Sequence, residues 1–115
     1  MSRLKNMQIK VDFDRSVYFT SQYFVQGDID SCAIVADIKQ DITNKIVAIT
    51  FDVPGEDPFT LDMENEGAYQ ARLVLPAETL AKDGRVNCQI SIRSEDYRLT
   101  NSHKFFYNVL KSLWG

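Results

Sequence analysis

Residues 84–92, GRVNCQISI, constrain the fold more than any other stretch. Val86, Cys88, Ile90 and Ile92 alternate with Arg85, Asn87, Gln89 and Ser91, and Arg93 continues the polar set. Successive side chains of an extended chain point to opposite faces, so this period fits a strand with one buried and one wet face. Such a strand needs a second sheet to cover its apolar side. Residues 104–110 supply another strand after the polar connection SEDYRLTNS.

The upstream chain reads as further strands. In residues 5–13, Met7, Ile9, Val11 and Phe13 share a face. Asp14, Arg15 and Ser16 break the pattern, and residues 17–26 resume it as one aromatic-rich strand. Gly27 and Asp28 punctuate the chain before residues 31–38. There, Cys32, Ile34, Ala36 and Ile38 share one face, while Ala33 and Val35 make the other face apolar too. That pattern places the strand centrally or at an interface. Residues 45–51 are the next strand, and the run Pro54-Gly55-Glu56-Asp57-Pro58 ends it. Residues 59–63, a hairpin turn at 64–67, and residues 68–75 with Tyr69, Ala71, Leu73 and Leu75 inward complete the series. Residues 76–83, PAETLAKD, break the strand pattern. Proline suits a first helical turn and Gly84 a stop, so about two turns of helix are expected there. About eight short strands with regular turn signals and one small helix indicate an all-β antiparallel sandwich, preferred over a barrel. One domain is expected over residues 1–115, with its core in 5–110 and a tail at 111–115.

Charge and composition narrow the function. The net charge of −3 and pI near 5.0 lack the basic stripe of a nucleic-acid binder, and argue against an anionic membrane surface. Apolar runs fall short of the roughly 18 residues that span a bilayer, and the first residues, MSRLKNMQIKVDFD, lack the apolar segment of a secretory signal. With 44% hydrophobic and 25% charged residues, the chain is too apolar for disorder. Two cysteines make no disulfide framework, and synthesis in a reducing cytoplasm is expected.

Candidate chemistry is sparse. Cys32 and Cys88 both fall on apolar faces, as an inter-sheet disulfide would require. The core Trp and corner Tyr that accompany such a bond in antibody domains are missing, so buried thiols are the preferred reading. His103, the single histidine, stands in a polar stretch with no strained nucleophile elbow nearby, and reads as a turn residue. The carboxylate pairs Asp12/Asp14, Asp28/Asp30, Glu56/Asp57 and Glu64/Glu66 read as solvated turns rather than calcium loops or a glycosidase pair. No metal and no cofactor are expected. Tyr18, Tyr23, Phe24, Tyr97 and Phe106 cannot all point inward, which leaves aromatics for a partner or a sugar ring.

Three pieces of the sequence carry a family resemblance. They are Phe24-Val25-Gln26-Gly27-Asp28; Gly84 with the alternating Val86, Cys88, Ile90 and Ile92; and Arg98-Leu99-Thr100 followed by the aromatic run from Phe105 to Val109. In this order, over about residues 7–110, they resemble the N-terminal domain of the baseplate upper protein family of tailed bacteriophages. The resemblance implies an Ig-like β-sandwich serving as a structural, non-enzymatic module that docks on other tail and baseplate proteins. It implies residence in the virion after synthesis in the host cytoplasm. The family's trimerising segment lies beyond residue 115, so trimer formation and attachment of a receptor-binding protein are not carried over. Homo-oligomerisation stays open. The alternative is a carbohydrate-binding or adhesion module. Candidate partner-contact residues are Tyr18, Tyr23, Phe24, Ala33, Val35 and the near-terminal Trp114.

Overall fold

The computed structural model describes residues 5–20, 22–27, 32–94 and 99–111. Its strands are β1 (Lys5–Asp12), β2 (Ser16–Phe19), β3 (Tyr23–Val25), β4 (Cys32–Ile38) and β5 (Ile46–Asp52). They continue with β6 (Phe59–Asp62), β7 (Glu64–Asn65), β8 (Gln70–Val74), β9 (Gly84–Arg93) and β10 (Leu99–Leu110). They form two five-stranded sheets, ordered β2-β1-β4-β8-β7 and β3-β10-β9-β5-β6. The all-β sandwich is therefore the expected one. Its sheets are mixed rather than wholly antiparallel, because β1 pairs with β4 and β3 with β10 in parallel.

The mixed pairing has a local cause. The aromatic stretch expected as one strand over 17–26 is two strands in different sheets. β2 pairs with β1, and after the break between Phe19 and Tyr23 the chain pairs β3 with β10. A strand that changes sheets makes a corner of the sandwich. Phe19 seals that corner, its ring lying edge-on to Phe105 at 6.1 Å and to Phe106 at 5.1 Å.

The alternating strands meet face to face over one core. Met7, Ile9 and Val11 of β1 and Cys32, Ile34, Ala36 and Ile38 of β4 face Val86, Cys88, Ile90 and Ile92 of β9 and Val47, Ile49 and Phe51 of β5. At one end the rings of Phe24, Phe51 and Tyr107 interlock, with Tyr107 5.3 Å from Phe24 and 6.4 Å from Phe51. The expected helix over 76–83 is here a four-residue 3-10 turn, Ala77–Leu80. Within it Thr79 is buried, and its hydroxyl donates to the Pro76 carbonyl at 2.6 Å. The turn plugs the sandwich, because Tyr107 donates its hydroxyl to the Thr79 carbonyl at 2.8 Å and Gly27 N–H reaches the Leu80 carbonyl at 3.2 Å. Gly84 then opens β9 at φ +120°, a conformation only glycine adopts without strain, rather than ending a helix.

β9 and β10 carry one irregularity. Asn101 pairs with Ser91 and Lys104 with Gln89, so Ser102 and His103 together stand opposite Ile90. This is a two-against-one bulge. His103 thus lies within a strand rather than in a turn. The Ser102 hydroxyl accepts the buried Ile90 N–H at 3.0 Å, and the Gln89 side-chain amide donates to the Ser102 carbonyl at 2.8 Å. The four edge strands β2, β7, β3 and β6 are only 4, 2, 3 and 4 residues long. Short edges offer little template for uncontrolled strand pairing.

Candidate functional site

The outer face of the first sheet gathers more of the candidate residues than any other surface. Cross-strand register sets its rows. Tyr18, Lys10, Asp37 and Gln70 stand side by side across β2, β1, β4 and β8. The next row is Gln8, Val35, Arg72 and Glu64, and the one beyond it Asn6, Ala33 and Val74. Ala33 and Val35 thus do face outward, opposite to the core side of β4. Yet they are 0% and 7% exposed, because β4 is the middle strand and its longer neighbours close over these small side chains. They form a floor rather than an open contact patch.

Tyr18 is 58% exposed and forms one wall of a groove of about 420 Å³. The other wall is Tyr69, 59% exposed, and Lys10, Asp12, Arg15, Asp37 and Lys39 lie between. Tyr69 was expected inward with Ala71, Leu73 and Leu75. It precedes β8, and although its carbonyl accepts the Ile38 N–H at 2.8 Å, its side chain points to solvent. The groove's carboxylates are already engaged. Asp12 takes the Asp14 N–H at 3.0 Å and pairs with Lys39 at 3.5 Å. Asp37 accepts from the Gln70 side-chain amide at 2.9 Å. Among the described residues the ion pairs are Lys39–Asp12 and Arg72–Glu66; Lys10 stands beside Asp37 in register, so the groove carries three cations, Lys10, Arg15 and Lys39, against the carboxylates of Asp12 and Asp37.

The other candidates lie elsewhere. Tyr23 is 53% exposed, but on the outer side of the second sheet, beside Asn108 at the β3 edge. Arg85 lies nearby, its guanidinium 4.1 Å from the centre of the Phe106 ring. Phe24 requires correction: it is fully buried against Tyr107, because the inward parity of β3 falls on it and not on Tyr23. Trp114 lies outside the described residues, as do Asp28, Asp30 and Tyr97. Lys10, Arg15, Asp37 and Tyr69 were absent from the sequence-derived set. They come from separate segments, and only the pairing of β1 with β4 and of β4 with β8 brings them together.

Both cysteines are buried thiols on the inner faces of opposite sheets. Burial pushes the Cys88 thiol far above its ordinary range, which denies it nucleophilic character at neutral pH. Among the described residues no three His, Cys, Asp or Glu side chains gather in a metal-binding group, and no helix is long and apolar enough to cross a membrane.

No protein-family model matches the sequence, and no curated protein matches it. Among solved structures, the N-terminal domain of phage TP901-1 ORF48 superposes with a TM-score of 0.71 at 16% sequence identity, covering 92% of this chain and 98% of that one. The two share one fold. The correspondence runs almost end to end on both sides. The sandwich implied by the family resemblance is the sandwich found.

Proposed function

We propose that this chain is a non-enzymatic structural module of a phage or prophage tail, docking on other baseplate proteins within the virion. One observation carries the reading: the near-complete two-way overlap with a phage N-terminal domain, at an identity too low for the likeness to be trivial. The resemblance to the baseplate upper protein family points the same way. The surface is consistent with a scaffold role. The Cys88 thiol is buried, and the groove carboxylates are engaged in hydrogen bonds and an ion pair. The exposed Tyr18 and Tyr23 then serve as partner contacts on opposite sheets. Quantitative mass spectrometry of purified particles tests this. The chain should be recovered in fixed stoichiometry with tail proteins, and its absence from intact particles would refute the reading.

A carbohydrate-binding role is favoured by one feature, two exposed tyrosines, Tyr18 and Tyr69, in a single groove that Asp37 also lines. It is weakened because the Asp37 and Gln70 side chains already bond each other. A glycan array with no signal at millimolar sugar would dismiss it.

A further inference from the structure

The cationic groove has a counterpart on the same chain. Residues 54–58, Pro-Gly-Glu-Asp-Pro, form the β5–β6 loop and are exposed throughout. A turn bond from Glu56 N–H to the Val53 carbonyl at 3.1 Å shapes the loop, and a proline at each end restricts it further. Among the described residues neither Glu56 nor Asp57 enters an ion pair. The loop therefore presents two uncompensated carboxylates between two proline rings. The groove presents Lys10, Arg15 and Lys39 against Asp12 and Asp37, an excess of positive charge, with Tyr18 and Tyr69 also in its lining.

The loop cannot reach the groove of its own chain. β4 ends and β5 begins at the groove end of the sandwich, joined by residues 39–45. β5 then runs to Asp52 and delivers the loop to the opposite end, roughly 20 Å away by strand rise. There the Pro54 ring borders Gly84 at the start of β9.

We propose that the groove of one chain receives the 54–58 loop of a second copy. Glu56 and Asp57 meet Lys10 and Arg15, and the proline rings pack on Tyr18 and Tyr69. Groove and loop are different surfaces, so the contact is head-to-tail. It closes into a ring if the rotation between copies returns to its start, and otherwise propagates. This inference rests on the reading of the chain as a docking module and names one occupant of its outer face. The contact is small and charge-driven, so salt weakens it.

Sedimentation velocity of the 115-residue chain, over a concentration series to millimolar, tests the inference. Association is expected at about 0.1 M salt and should vanish at about 1 M, where the Debye length shrinks to about 3 Å. The double variants K10E/R15E and E56K/D57K should each be monomeric. Mixed together they should associate again, since each then offers the other an oppositely charged surface. A wild-type chain that stays monomeric, association that survives either charge reversal or high salt, or a mixture that fails to reassociate overturns the inference. Any of these leaves the virion reading standing if the chain is still found in tail particles. Absence from particles with intact charge-swap behaviour would sink the virion reading alone.

Discussion

Replacing Tyr107 with phenylalanine removes one oxygen from the aromatic end of the sandwich, where Tyr107 packs on Phe24 and Phe51. The ring contacts with Phe24 and Phe51 survive the change, as does the ring's burial. What is lost is the 2.8 Å bond to the Thr79 carbonyl, in a residue that is itself fully buried. Leaving a buried acceptor unpaired costs about 1–3 kcal/mol, more than the net value of a typical hydrogen bond. An unfolding entropy of about 2.1 cal/mol/K per residue, over 115 residues, gives about 240 cal/mol/K, so the loss corresponds to roughly 4–12 °C in Tm. Urea titration with calorimetry would measure it. The midpoint should fall with the m-value unchanged, since the surface exposed on unfolding is nearly the same. Amide exchange should also rise at Gly27, whose N–H is held by Leu80 in the same plug. A Tyr107→Phe chain within about 0.5 kcal/mol of wild type would refute the claim that this hydroxyl anchors the 3-10 turn.

Ser102→Ala should destabilise by about 1–3 kcal/mol by orphaning the buried Ile90 N–H; an unchanged urea midpoint would show that the bulge satisfies that donor in another way. Gly84→Ala should cost about 1–3 kcal/mol, because alanine at φ +120° is strained, whereas its Cβ would meet the Pro54 ring only in ordinary contact at 3.4 Å; a neutral thermal melt would count against it. Alkaline pH should weaken the fold. Burial raises both the Cys88 thiol from 9.0 and the Tyr107 phenol from 10.0, so the native state holds protons that the unfolded chain releases. Stability is then complete below pH 9 and falls above it, by up to about 1.4 kcal/mol per pH unit for each group. Denaturation midpoints from pH 7 to 11 would check the slope. Cys32 and Cys88 should react with a thiol reagent only after denaturant is added; rapid labelling of the native chain would contradict their burial.

Much of the fold was legible because burial in a sandwich imposes a period of two. β9 shows one apolar face to the core and one polar face outward, and the inward Val47, Ile49 and Phe51 of β5 alternate likewise; both were readable from sequence. The apolar second face of β4 was also visible, but its meaning was not. Whether Ala33 and Val35 meet a partner or are roofed by Gln8, Arg72 and Val74 depends on neighbours remote in sequence. Alternation likewise runs on from Phe19 towards Tyr23 without showing that the chain has changed sheets, so one expected strand became β2 and β3. The parallel pairings are long-range choices with no local signature. Residues 76–83 carry genuine helix-start chemistry, yet they form only four residues of 3-10 turn, with Thr79 and Leu80 buried against the sandwich. The groove was the least legible feature. Its parts are ordinary surface residues on β1, β2, β4 and the approach to β8, and none stands out before topology places them side by side.

The placement of β10 has a consequence for how the molecule comes into being. This last strand sits second in its sheet, between β9 and the β3 edge, and supplies Phe105, Tyr107 and Val109 to the core. A chain emerging from the ribosome therefore holds β3 without its partner until the final strand has been made. Native pairing of that sheet is completed after synthesis of almost the whole module, and closure between such distant segments is slow compared with local hairpins. Until then the aromatic segment of β3 is exposed to the cell. The brevity of that segment, three residues, limits the hazard of waiting.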